Sequence, residues 1–152
     1  MRTATMTVSF ALALLAVAPV ATRADDTLAD KIQGTYNYVS GKKGDEAIDK
    51  DRLAGKVKIT KDTIYLLGEG GEEEFVIPYT FSADGTSRGK LKMEIKKGVV
   101  AEAVGSTARG LVKLEGDTLT LIYDFQEGRS PEDFTPKDAM QHLYILKRSA
   151  AK

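Results

Sequence analysis

The sequence predicts an all-β protein, an antiparallel meander of about eight strands closed or nearly closed into a barrel. After residue 24 the chain divides into short segments in which apolar and polar residues alternate, as in half-buried strands. Turns containing Gly, Asp or Pro separate these segments, and no long amphipathic helix or internal repeat interrupts them. Because a meander has two exposed edge strands, closure into a barrel is the expected way to remove them.

The first 24 residues differ from the rest of the chain. Arg2 is followed by an uncharged apolar segment, residues 8–20, and then by Thr22 and Ala24 at positions −3 and −1 of a possible cleavage site. This order is typical of a secretory signal peptide, and the apolar run is shorter than the ~20 residues that a membrane-spanning helix needs. An uncleaved membrane anchor is the alternative interpretation.

The expected organisation is a signal peptide at 1–24, one barrel domain at 25–148 and a disordered tail at 149–152. The mature protein is expected to be secreted or periplasmic, monomeric and not inserted in the membrane. The chain has 22 basic and 22 acidic residues, and removal of 1–24 takes away Arg2 and Arg23 but no acid, which leaves a net charge of −2. Such a surface argues against nucleic acid as a partner, because nucleic acid requires a basic stripe. Without cysteine, the fold holds without disulfides.

In the first half of the domain, residues 25–31 allow one helical turn. The charged segment 41–52 has a weak helical pattern and predicts a loop or a single helical turn, and 68–74 is an acidic connection. Strand 34–40 is rich in β-formers, and the alternation in 54–60 and 63–67 predicts two more strands. In the strand at 74–81, Pro78 has no N–H group, so it predicts an unpaired position, a bulge or an edge.

In the second half, Leu91, Met93 and Ile95 alternate with charged residues in a strand at 90–96, while the pattern of 99–106 is ambiguous. Segments 109–114 and 118–124, joined by Glu115-Gly116-Asp117, predict a hairpin. A long loop with two prolines, 127–138, leads to a last strand at 141–148.

Four segments then occur in a distinctive order: 32–36 (IQGTY), the hairpin 110–121, 131–134 (PEDF) after Arg129, and 143–148 (LYILKR). This order resembles the lipocalin-like domains of unknown function found in planctomycete bacteria. The chain departs from the family pattern at Tyr36, where a Trp is usual, at Val112, where a Tyr is usual, and at Ser130, which separates Arg129 from Pro131. The resemblance implies a barrel whose floor is closed by Tyr36, with the Arg148 guanidinium packed over its ring, a structural role.

The aromatic faces of the strands indicate a cup for an apolar or amphiphilic ligand. The candidate ligand-binding residues are Tyr38, Phe75, Tyr79, Phe81, Met93 and Tyr123. Packing of the same side chains into a filled core is the alternative. In that case the protein would act through its loops on a protein partner, for example as an inhibitor, with 127–138 or 68–74 as the contact.

No catalytic constellation, metal site or cofactor is predicted. His142 is the only histidine, no cysteine is present, and no G-x-S-x-G elbow or H-E-x-x-H motif occurs. An enzyme that uses the barrel mouth is the remaining hypothesis, and a histidine mechanism there would depend on His142.

Overall fold

Eight antiparallel strands close into a barrel, which confirms the predicted fold class. The computed structural model describes residues 27–150; the predicted signal peptide and residues 151–152 lie outside this range. The strands are β1 (Gly34–Lys43), β2 (Glu46–Ala47), β3 (Lys56–Ile59), β4 (Thr63–Leu67), β5 (Glu73–Ala83), β6 (Arg88–Glu94), β7 (Lys97–Gly98), β8 (Thr107–Glu115), β9 (Thr118–Asp124) and β10 (Gln141–Arg148). One short helix, α1 (Leu28–Lys31), precedes them, and 3-10 helices lie at Lys50–Leu53 and Ala101–Ala103.

The barrel order is β1-β3-β4-β5-β6-β8-β9-β10, and β10 pairs back with β1. The short strands β2 and β7 pair with β1 and β5. β1 runs three residues further than the predicted strand and continues into the segment expected to be a loop or a single helical turn, and the 3-10 helix Lys50–Leu53 lies at the other end of that segment. A register shift at Val39, which is 59% exposed, separates the two parts of β1.

Pro78 lies at a gap in the hydrogen-bond ladder, as its missing N–H predicts. It pairs with Thr63 of β4 on one side. On the other side β5 pairs with β6 only from Tyr79 onward and with β7 only at Phe75 and Val76. Pro78 therefore sits between these two ladders, where no donor is needed.

The predicted β8–β9 hairpin is present, with Glu115 opposite Thr118 and a two-residue turn. Gly116 has φ +61, and no residue other than glycine has a positive φ in the described chain. A positive φ at only the first central position is the requirement of a type II′ turn, which explains glycine there.

One end of the barrel is closed by α1. Its N-terminus has a capping box formed by Thr27 and Asp30. Leu28 and Ile32 are buried, and the fully buried Tyr36 donates its hydroxyl to the Ile32 carbonyl at 2.8 Å. We call this the closed end, and it also contains the β3–β4, β5–β6 and β8–β9 turns.

Arg148 fastens α1 to the barrel at the closed end. Its guanidinium carbon lies 5.1 Å from the centroid of the Tyr36 ring, and Nη1 donates to the Gln33 carbonyl at 2.7 Å. A Cβ on Gly34, where φ is +147, would lie 2.5 Å from Nη1, so the glycine makes room for the guanidinium. The two side chains that the resemblance pairs are therefore in contact in the barrel floor.

The middle of the barrel is filled by side chains. Val57, Ile64, Leu121 and Leu146 are each at most 4% exposed. The void that they line with their neighbours measures only about 20 Å³. Such packing leaves no room for a ligand inside this half of the barrel, so any open volume of the interior must lie at the opposite end.

Candidate functional site

The opposite end, which we call the mouth, contains a cavity of about 630 Å³. Its walls come from β1, β4, β5, β6, β8, β9 and β10 and from the segments that connect β6 to β8 and β9 to β10. Most of the lining side chains are apolar, among them Leu66, Phe75, Ile77, Met93 and Ile95. We call this volume the apolar lobe, and its size is within the range usual for sites of small ligands.

A second volume of about 490 Å³ adjoins the apolar lobe. Its lining includes five charged side chains, so we call it the charged lobe: Lys43, Asp51, Arg52, Glu69 and Glu74. Six residues line both lobes and show that they are contiguous: Lys43, Leu66, Phe75, Val100, His142 and Tyr144.

Four of the six candidate ligand-binding residues line this mouth. Tyr38 lines the charged lobe, Phe75 lines both lobes, and Met93 and Tyr123 line the apolar lobe. Tyr38, Met93 and Tyr123 also contact the small void below, so they form the floor of the cavity.

Tyr79 and Phe81 lie elsewhere, nearer the closed end. Tyr79 is 6% exposed and donates its hydroxyl to the Thr60 carbonyl at 2.6 Å. The Phe81 ring packs directly over Gly89. Both share an inner face of β5 with Phe75, but six residues of strand separate Phe75 from Phe81 by roughly 20 Å. The two residues therefore belong to the packed core. The sequence groups them with Phe75 because alternation specifies the face of a strand and not the height along it.

Aromatic rings form one wall of the mouth. The Tyr123 ring centroid lies 5.0 Å from that of Phe125, 5.3 Å from that of His142 and 5.8 Å from that of Tyr144. The Tyr38 centroid lies 5.5 Å from that of Tyr144. Phe125, His142 and Tyr144 line the mouth but are not among the residues predicted from the sequence. The alternation of β10 places His142 and Tyr144 on the same face as Leu146, and this pattern could have identified both as inward-facing residues.

Burial keeps this wall uncharged near neutral pH. Burial and, to a smaller extent, the nearby positive charge of Lys43 lower the pKa of His142 to about 4. The pKa of Tyr123 is raised well above its ordinary value by burial and by the neighbouring Tyr144. Burial likewise raises the pKa of Tyr38, and the Glu74 carboxylate adds to the effect. The rings therefore present neutral surfaces to the cavity.

The loop between β9 and β10 supplies Phe125, Ala139 and Met140 to the apolar lobe. Arg129 anchors this loop. Its Nε donates to the fully buried carboxylate of Asp124, and its Nη1 and Nη2 donate to Asp138 at 2.7 and 2.8 Å. Gln141 donates to Asp124 at 2.9 Å. Four residues thus form one network, which we call the latch: Asp124, Arg129, Asp138 and Gln141.

The same loop covers part of the outer barrel surface. Leu111 and Ile122 point outward, yet they are 4% and 0% exposed. Lys113, on the same outer face, holds its ammonium 4.8 Å from the centroid of the Phe134 ring. The loop is therefore packed against the barrel and held there by the latch, so it provides a fixed wall for the mouth.

The rim of the mouth exposes several apolar side chains. Val99, Val100 and Val104 of the β7–β8 connection are 67%, 49% and 46% exposed, and Met140 is 43% exposed. Val100 and Met140 also line the apolar lobe. An apolar path therefore runs from the solvent into the cavity.

Residues 27–150 contain no group of three or more side chains arranged to hold a metal ion. Within the same range, none of the helices has the length and apolar character needed to cross a bilayer. Comparison of the chain with protein-family models, with curated proteins and with solved structures finds no match in any of the three. The resemblance to lipocalin-like domains remains a prediction.

Proposed function

We propose that this protein is a non-catalytic, lipocalin-like binding protein that holds one small apolar or amphiphilic molecule in the open end of its barrel. The observation that carries the proposal is the division of the interior. The closed half is packed down to a void of about 20 Å³, whereas the mouth keeps an apolar-lined volume of about 630 Å³. Burial of an apolar ligand there removes both ligand and lining surface from water, which stabilises the complex by about 25 cal/mol per Å² of buried apolar surface.

The proposal includes export. Residues 1–24 have the order of a signal peptide, and the chain has no cysteine that would require pairing outside the cytoplasm. A secreted or periplasmic carrier is consistent with a cavity that opens to the solvent. No cofactor or metal is part of the proposal.

Two phenylalanines of β5 offer a matched test. Phe75 and Phe81 are both half-buried on one face of the same strand, but only Phe75 lines the cavity. We expect Phe75→Ala to weaken binding of N-phenyl-1-naphthylamine, a neutral apolar fluorescent probe, about tenfold, which corresponds to ~1.4 kcal/mol. Phe81→Ala should leave the probe affinity unchanged and lower the free energy of unfolding by about 2–3 kcal/mol, since it opens a hole in packed structure.

Probe titration and urea unfolding of both variants give the two readouts. Equal loss of affinity in both variants, or none in either, would contradict a site at the mouth. Failure of the natural protein to bind any apolar probe would favour the second candidate function, an interaction module acting on a protein partner. The exposed rim residues Val99, Val104 and Met140 support that candidate. They lie outside the loops 127–138 and 68–74 that the sequence indicated for such a contact.

A further inference from the structure

The charged lobe bears groups of both signs that are not used within the fold. Its five charged residues are Lys43, Asp51, Arg52, Glu69 and Glu74. The ion pairs within 4.0 Å among residues 27–150 all involve other side chains. Charges that converge on a cavity without pairing with one another are available to a ligand.

The two signs come from different elements. Lys43 ends β1 and Arg52 belongs to the 3-10 helix Lys50–Leu53, whereas Glu69 lies in the β4–β5 connection and Glu74 in β5. Asp51 is the exception, since it accompanies Arg52 in the 3-10 helix.

The fields of these groups also fall on different lining rings. Lys43 lowers the pKa of His142 and Arg52 acts to lower that of Tyr144, although burial raises the Tyr144 pKa overall. Glu74, in contrast, contributes to the raised pKa of Tyr38. The basic groups therefore act on His142 and Tyr144, and the acidic Glu74 acts on the adjacent Tyr38.

A ligand head group that carries a single charge is repelled by the side chains of the same sign in this site. A carboxylate would face three acidic side chains, and an ammonium would face two basic ones. A head that carries both charges can direct its anionic group to Lys43 and Arg52 and its cationic group to Glu69 and Glu74. The aromatic rings of Tyr38, Phe75 and Tyr144 beside them suit an alkylammonium, which is attracted to ring faces.

We propose that the charged lobe is the head-group site for a single-chain amphiphile with a zwitterionic head, and that the apolar lobe takes its chain. The inference rests on the proposed function and names the ligand class of the same cavity. The six residues shared by the two lobes make one continuous site, so a single molecule can occupy both.

Four probes with the same dodecyl chain and different heads test this inference: dodecylphosphocholine, dodecyltrimethylammonium, dodecanoate and dodecyl maltoside. Each is titrated into the purified protein by calorimetry below its critical micelle concentration. We expect dodecylphosphocholine to bind about fivefold more tightly than any of the other three, a factor typical of partly exposed charge pairs.

Neutral variants test the basic and the acidic groups of the lobe separately. Arg52→Gln should weaken the binding of dodecylphosphocholine about threefold to fivefold and leave the binding of dodecyl maltoside unchanged. Glu69→Gln should weaken dodecylphosphocholine binding by a similar factor, because the cationic group of the head loses an acidic partner, and should leave dodecyl maltoside binding unchanged. Lys50→Gln and Glu72→Gln are matched controls, because they lie in the same 3-10 helix and the same connection but do not line the lobe; both should bind as the natural protein does.

Equal affinity for all four probes, or tightest binding of dodecanoate or dodecyltrimethylammonium, would overturn the head-group assignment while the proposed carrier function stands. Unchanged dodecylphosphocholine affinity in both lobe variants would overturn it as well. If none of the four probes binds, the proposed function fails and this inference fails with it.

Discussion

At the scale of single residues, His142 is the least expected feature of the site. A histidine mechanism would depend on this residue. In the structure it lies in an aromatic wall, with its ring centroid 5.3 Å from that of Tyr123 and 5.2 Å from that of Phe125. Lys43 faces it across the β1–β10 pair, and Tyr144 lies next to it on β10. None of these neighbours carries a negative charge that would pair with an imidazolium, and burial together with Lys43 lowers the pKa of the ring, so it is neutral near pH 7.

This environment makes stability depend on pH. The folded-state pKa of His142 is about 4, below its ordinary value of 6.5. Above pH 6.5 the ring is neutral in both states; as the pH falls from 6.5 to 4 the unfolded chain takes up the proton first, so stability is lost. We expect a loss of about 1–2 kcal/mol from this group, reduced because the ring is partly exposed.

Urea unfolding at pH 7 and at pH 4.5 measures the effect, and His142→Phe is the reference in which the titrating group is absent. The difference in stability between the two proteins should widen in favour of the variant as the pH falls. A pH dependence identical in both would show that His142 does not titrate in this range.

At the scale of elements, the latch explains why a long loop can serve as a wall of the site. Burial alone would raise the pKa of Asp124, but hydrogen bonds from Arg129, Gln141 and the backbone N–H of Gln126 outweigh it, and the pKa is lowered. Asp124 therefore remains a carboxylate and needs Arg129 as its partner, because an unpaired buried charge is costly.

We expect Arg129→Gln to lower the free energy of unfolding by about 2 kcal/mol. It should also weaken N-phenyl-1-naphthylamine binding severalfold, since Phe125, Ala139 and Met140 would lose their fixed positions. The control is Arg88→Gln, which removes a surface ion pair with Asp84 at 2.6 Å and should cost less than about 1 kcal/mol without changing binding. Full probe affinity in Arg129→Gln would show that the latch does not position the wall.

Much of the element order could be predicted from the sequence, because strands and turns depend on local patterns. The alternation around Met93, the glycine of the β8–β9 turn and the missing N–H of Pro78 each specify structure within a few residues. The extension of β1 through Lys42 and Lys43 was missed because its pairing with β10 comes from residues about 100 positions away. Without that pairing, a charged segment such as the one around Lys42 and Lys43 has the pattern of a loop.

The latch was also beyond local patterns, because Asp124, Arg129 and Asp138 meet only after the loop has folded back. One sign was present: the outward face of β9 carries an apolar residue, Ile122, among Thr118, Thr120 and Asp124. An apolar side chain on that face is removed from water only when another segment covers it.

At the scale of the whole molecule, the barrel has a structural half and a binding half. Arg148, Tyr36 and α1 seal one end, and the packed middle separates it from the mouth. The sequence predicted which candidate residues of a strand share a face, but neither which face points inward nor the height of each residue in the barrel, so Tyr79 and Phe81 were grouped with residues of the mouth. Their height follows from strand register and barrel closure, which only the assembled sheet determines.

The most direct test of the central claim is native mass spectrometry of the protein purified from its source without detergent, followed by denaturation and extraction of any bound molecule. The expected result is one small apolar or amphiphilic molecule per chain, with reduced occupancy in Phe75→Ala and undiminished occupancy in Phe81→Ala. An unliganded mass, together with failure to bind any of the apolar probes, would contradict the carrier function.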